Sequence, residues 1–162
     1  MLEQSVQQVL TEMGFVLRET EKGRSDIIAK YGDIDVVVEI KGVNKSAAEK
    51  HAAQLEKWAS QFLEEHEKTP KAILVVNGFC ETPVFNRNEA VFPEQMLKYS
   101  RSRGHALIST TQLLCMYIET RNNSKLTQER VQELLETEGI YSRYANVEEY
   151  LIREESGGNE DA

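Results

Sequence analysis

Leu2, Val6, Val9, Leu10 and Met13 recur at helical spacing and the pattern stops at Gly14, so the chain opens on an amphipathic helix. The period then shortens to that of strands. Phe15 to Glu19, Asp26 to Tyr31 and Asp35 to Lys41 read as three successive strands. Glu19 to Gly23 supplies the first turn, and Gly32-Asp33 is a hairpin signal for the second. Ser46-Ala47-Ala48-Glu49 is a capping-box signature that predicts a helix running to His66, with Ala48, Ala52, Leu55, Ala59, Phe62 and Leu63 as its buried stripe. Lys71 to Gly78 is a continuous apolar run behind Pro70, as a buried central strand requires.

Phe79 to Phe92 lacks periodicity and reads as a long loop that edges a cleft or meets a second subunit. Glu94 to Arg103 predicts a helix, Ala106 to Ile108 a strand, and Ser109 to Thr111 an N-cap for a helix over Leu113 to Ile118. From Asn122 onward charged helix formers dominate. Leu126, Val131, Leu134 and Leu135 mark one amphipathic piece, and Val147, Tyr150 and Leu151 another. The expected architecture is α/β, with a mixed, twisted sheet flanked by helices over residues 1–120, a helical C-terminal appendage over 121–155 and a disordered acidic tail over 156–162.

Candidate chemistry concentrates in the third strand. Side chains alternate across a strand, so Val36, Val38 and Ile40 share one face while Val37, Glu39 and Lys41 share the other. Glu39 and Lys41 are then about 6 to 7 Å apart. The Gly32-Asp33 hairpin brings Asp26 beside Glu39. Two adjacent carboxylates resist joint ionisation unless a positive charge lies nearby. A hard divalent ion, Mg²⁺ or Mn²⁺, supplies that charge and takes oxygen ligands, for which Asp26, Glu39 and the Ile40 carbonyl are the candidates. Lys41 can hold or help deprotonate a water that attacks a phosphodiester. Relief of carboxylate repulsion should leave an Asp26→Ala or Glu39→Ala variant folded and at least as stable. The plain alternative is a half-buried strand with a surface Glu and Lys.

In ordered arrangement these residues resemble the PD-(D/E)XK nuclease superfamily of restriction-endonuclease-like folds. The matching pieces are Glu3 on the first helix, Gly14-Phe15, Gly23-Arg24-Ser25-Asp26, Val38-Glu39-Ile40-Lys41-Gly42, and Gln54 on the following helix. Ser25 stands where many members carry Pro. The resemblance spans residues 1–118 and implies an αβββαβ core and a Mg²⁺- or Mn²⁺-dependent DNA endonuclease of restriction, repair, or mobile-element and phage defence. By that resemblance the catalytic set is Asp26, Glu39, Lys41, Glu3 and Gln54. Arg24, Lys45, Ser46 and Lys50 are the expected nucleic-acid contacts, with RNA left open as substrate. Glu3 also reads as a first-turn carboxylate favoured by the helix dipole, and Gln54 as a surface amide.

A net charge of -8 sits awkwardly with phosphate binding, yet the acid clusters away from Lys41, Lys45, Lys50 and Lys57. This leaves room for a homodimer, for a catalytically inactive nucleic-acid-binding or assembly module, or for a subunit of a larger complex that supplies the DNA affinity. Cys80 and Cys115 lack metal-ligand spacing and read as buried free thiols, consistent with a cytoplasmic protein. No apolar stretch approaches about 18 residues, so no membrane span or secretory signal is expected. His51, His66 and His105 are scattered, and Trp58, the only Trp, has the helical spacing of a core residue. Arg101, Arg103 and His105 suit the end of a helix. Walker, GxGxxG and GxSxG motifs are absent from the sequence.

Overall fold

The computed structural model describes residues 1–151, so the acidic tail and the last part of the appendage lie outside the described residues. The chain forms α1 (Leu2–Glu12), β1 (Val16–Arg18), β2 (Ile27–Tyr31), β3 (Ile34–Gly42), α2 (Glu49–His66) and β4 (Lys71–Asn77). A short 3₁₀ turn (Val84–Asn86), α3 (Glu94–Ser102), β5 (Ala106–Ser109), α4 (Thr110–Thr120), α5 (Ser124–Glu136) and β6 (Gly139–Ile140) follow. The strands lie in sequence order in one six-stranded sheet. β1, β2 and β3 form an antiparallel meander, and β3 to β6 run parallel.

β3 and β4 are nearly uninterrupted runs of apolar residues because both of their faces are covered. Val36, Val38, Ile40, Ile73 and Val75 pack with α1, α4 and α5 on one face, while Val37, Leu74, Val76 and Leu107 pack with α2 and α3 on the other. The β2–β3 hairpin closes through the expected two-residue turn, with Tyr31 opposite Ile34 and Gly32 at φ 56°.

Three local readings change. Phe15 leaves β1 and turns into the core against Tyr31, with ring centroids 5.1 Å apart, so the first strand is shorter than the alternation suggested. Helix α2 starts at Glu49 rather than behind a Ser46 cap. The Ala47 N–H is drawn to the Val91 carbonyl at 2.7 Å, which keeps the chain extended, and the Ala48 N–H donates to His51 Nδ1 at 2.9 Å, which caps the helix instead. The C-terminal region is not simply a helical appendage. Helix α5 buries Val131, Leu134 and Leu135 in the main core, and β6 extends the sheet by donating Gly139 N–H to His105 O at 2.7 Å and Tyr141 N–H to Leu107 O at 2.8 Å.

Gln112 locks that addition in place. Its backbone N–H and side-chain oxygen form a reciprocal cap with Ser109, at 3.1 and 3.0 Å. Its amide nitrogen donates to the Tyr141 and Arg143 carbonyls at 2.8 and 2.9 Å, so one buried side chain joins the start of α4 to the segment after β6.

Candidate active site

The site forms where the start of β2 meets the end of β3. Ile27 pairs with Val38, and one further step of the antiparallel register sets Asp26 opposite Glu39. Residues facing each other across such a pair project to the same side. That side also carries Ile28 and Val37, which pack toward α2. Asp26 Oδ2 accepts the Ile40 backbone N–H at 2.7 Å, fixing the carboxylate against the next strand. Its Oδ1 makes no hydrogen bond among the described residues.

Glu39 is 3% exposed. Its Oε1 accepts from Lys41 Nζ at 2.7 Å, while its buried Oε2 has no hydrogen-bond partner. Burial raises the Glu39 pKa above the ordinary glutamate value; the Lys41 hydrogen bond opposes this rise and the Asp26 charge adds to it. The Trp58 indole Nε1 is buried and approaches the Glu39 carboxyl closely enough to lower its pKa, yet it closes no hydrogen bond. Trp58 is therefore more than core packing: half-buried against the α2 side of the sheet, it walls the carboxylate off from water.

Desolvation works to lower the Lys41 pKa, but the hydrogen bond and charge of Glu39, with Asp26 and Glu3, outweigh it and hold the amine protonated. Glu3 reaches this field because the start of α1 lies on the end of β3, where a Cβ added at Gly42 would stand 3.5 Å from Leu2 Cδ2. On α2, His51, Gln54 and Trp58 follow i, i+3, i+7 spacing and share a face. Trp58 lies against Glu39, and His51 is near enough to Lys41 for the two charges to interact. Gln54 therefore falls between them, half-buried, with no side-chain hydrogen bond among the described residues.

The expected nucleic-acid contacts divide. Arg24 is engaged by Glu65 at 2.5 Å and Glu21 at 3.4 Å, so its guanidinium is already paired. Lys45 and Lys50 are exposed and Ser46 is half-buried, all on the chain between β3 and the first turn of α2. That chain is stitched to the segment after β4, for Phe79 N–H donates to Lys45 O and Cys80 N–H to Val43 O, each at 3.0 Å. Cys115 is a buried free thiol as expected, whereas Cys80 is partly exposed and bonded to Asn44 at 3.2 Å. Away from the site, Arg103 donates to Tyr99 O at 3.1 Å near the end of α3, while His105, fully buried, pairs with Glu56 at 2.6 Å.

Sequence reasoning placed Asp26, Glu39 and Lys41 together but missed His51 and Trp58 as walls of the site. The signal was present in their common helical face with Gln54. Among the described residues no three His, Cys, Asp or Glu side chains converge as a metal-ligand group. The oxygens expected to hold a metal, from Asp26, Glu39 and the Ile40 carbonyl, are hard donors of the type that Mg²⁺ or Mn²⁺ takes. A buried carboxylate oxygen lacking any partner, beside a second carboxylate, is an environment that a divalent cation relieves.

No protein-family model matches the chain, nor does any curated protein or solved structure. No helix among the described residues is long and apolar enough to cross a bilayer.

Proposed function

We propose that this chain is a metal-dependent nuclease of the PD-(D/E)XK type, cleaving internal phosphodiester bonds of DNA in restriction, repair or defence against mobile elements and phage. The observation that carries the reading is the convergence of Asp26, Glu39 and Lys41 at one end of β3, with Glu39 Oε2 buried and unpartnered. The order α1-β1-β2-β3-α2-β4, with a meander followed by a parallel crossover, supports a restriction-endonuclease-like core.

Asp26, Glu39 and the Ile40 carbonyl would hold the ion. When bound, Mg²⁺ or Mn²⁺ supplies positive charge to the phosphate and acidifies water. Lys41, kept protonated by its acidic neighbours, acts as a donor: one N–H is spent on Glu39, and the others orient the attacking water or a phosphate oxygen. Lys41 is thus an electrostatic and positioning group rather than a proton acceptor. Glu3 supports that charge state, and Gln54 is placed to orient substrate between His51 and Trp58.

The test is incubation of circular and linear DNA with Mg²⁺ or Mn²⁺ beside the Asp26→Ala variant. Nicking by the wild type alone upholds the assignment, and equal activity of the two proteins overturns it. The charge of -8 favours a second reading, a binding or assembly module whose partner supplies nucleic-acid affinity. That module would retard DNA with a basic partner present and would not cut it under any metal condition.

A further inference from the structure

The parallel strands β3, β4 and β5 end on the same side of the sheet, and a cavity of about 300 Å³ opens at the ends of β4 and β5, one strand over from Lys41. Ligands in open α/β sheets lie beyond the carboxyl ends of the strands. Register connects the two places. Lys41 pairs with Val76, and Val76 with Ser109, so Lys41 and the cavity residues Val76 and Ser109 form one row on one face of the sheet. Two strand spacings separate the ends of that row, about 10 Å.

Arg87 lines this cavity and differs from the paired arginines of the fold. Arg18, Arg24, Arg130 and Arg143 each meet a carboxylate. Among the described residues Arg87 instead donates only to neutral oxygens, through Nε to Thr82 O at 2.8 Å and through NH1 to Asn77 Oδ1 at 3.0 Å. Asn77, in register with Gly42, also accepts from Thr110 at 3.3 Å. The guanidinium is therefore pre-oriented at the strand ends, and among the described residues it forms no ion pair and its NH2 donates no hydrogen bond. Glu89 lines the same cavity without forming an ion pair with it.

Two residues before Arg87, Phe85 stands on the 3₁₀ turn with 54% of its surface in water. The loop that bears both is fastened to the chain following Lys41 by the bonds from Phe79 to Lys45, from Cys80 to Val43 and from Ala47 to Val91. It is thus fastened to the segment that leaves the candidate site.

We infer that the 79–92 loop is the substrate-strand contact of this site: Arg87 binds a backbone phosphate and Phe85 stacks on a base of a nucleic-acid strand leaving Lys41. The inference rests on the nuclease reading and adds a substrate-recognition element to it. A guanidinium held in a fixed fork suits a phosphate oxygen pair, and an exposed aromatic beside it is the arrangement that carries unpaired strands without sequence preference. The strand is the one presented for cleavage, either single or locally unpaired.

The test is fluorescence anisotropy of a labelled single-stranded oligonucleotide with the full chain in chelator-containing buffer, where binding is read without cleavage. Phe85→Ala should weaken binding about tenfold, and Phe85→Tyr should retain it. Arg87→Gln should lower the salt slope by about 0.7, the loss of one phosphate contact on a single strand. Glu89→Gln, which removes a nearby negative charge and leaves the Arg87 tethers in place, should tighten binding. Wild-type affinity and salt slope in Phe85→Ala and Arg87→Gln, both melting as the wild type does, overturn the inference. If the wild type still cleaves DNA in that case, the nuclease reading survives it. A wild type that neither binds an oligonucleotide nor cuts a plasmid removes both.

Discussion

The carboxylate of Asp26 and the backbone amide of Ile40 are joined by a 2.7 Å hydrogen bond across the β2–β3 pair. One residue thus serves both the strand pairing and the proposed ion site. Sequence alone suggests that removing either acidic residue relieves repulsion, but this bond makes the two unequal. Asp26→Ala orphans a part-buried amide and should cost about 1 to 2 kcal/mol, whereas Asp26→Asn keeps an acceptor and should melt close to the wild type. Both should abolish cleavage. Chemical denaturation of the pair checks the difference, and equal losses in the two variants would show the bond to be energetically idle.

Glu39 should behave in the opposite sense. Burial raises its folded pKa above the ordinary value of 4.5, so the native state keeps the proton to higher pH than the unfolded chain does. Its stabilising contribution is fully present below the unfolded pKa and is lost as pH rises through the folded value. Wild-type melting temperature should therefore fall relative to Glu39→Gln as pH is raised through that window, and Mn²⁺ should restore it in the wild type only. A gap between the two proteins that stays constant with pH would contradict the assignment.

Trp58 provides a built-in reporter, being the sole Trp and lying against the Glu39 carboxyl. Mn²⁺ titration should quench its emission saturably in the wild type. The response should vanish in Glu39→Gln, which leaves the indole in place. Quenching that persists in that variant would move the ion elsewhere.

Lys41 is one-third exposed, so its pair with Glu39 is only partly desolvated. Lys41→Met should cost about 1 kcal/mol after allowance for screening, while lowering the cleavage rate by orders of magnitude. Because the amine is held protonated, the rate profile of the wild type should show no ionisation of Lys41 on the alkaline side before the protein's ordinary lysines titrate. A rate that rises with pH through an ionisation near neutrality, with that ascending limb lost in Lys41→Arg, would instead make it the base.

Gln112→Ala should destabilise the fold by about 2 to 3 kcal/mol, because several buried partners lose their hydrogen bonds at once. Urea unfolding measures this. A loss below about 0.5 kcal/mol would mean that the segment after β6 is held by its apolar contacts alone.

Much of this architecture is legible in local patterns. The period-two alternation and the Gly32-Asp33 turn determine which side of β3 carries Glu39 and Lys41 and bring Asp26 opposite, since strand register leaves little freedom once a two-residue turn is set. The apolar run of β4 announces a strand covered on both faces. What escapes such reading depends on contacts between distant segments. The start of α2 is moved by the bond from Ala47 to Val91, the pairing of Arg24 depends on Glu65 at the far end of α2, and β6 has only two residues, too few to show a period. The solvent-shielding role of Trp58 required knowing which side of α2 faces β3, which helical spacing alone leaves undecided.

The tight hairpin of Gly32 and Asp33 governs chemistry that happens elsewhere. About 20 Å of strand lies between that bend and the Asp26 end of β2. Inserting one residue there, for example a second glycine after Gly32, would slide β2 by a single step and swing Asp26 to the opposite surface while the composition of the interior stayed almost unchanged. The proposed activity thus hangs on a bend remote from Asp26, and a chain could lose it there while keeping every residue to which it is assigned.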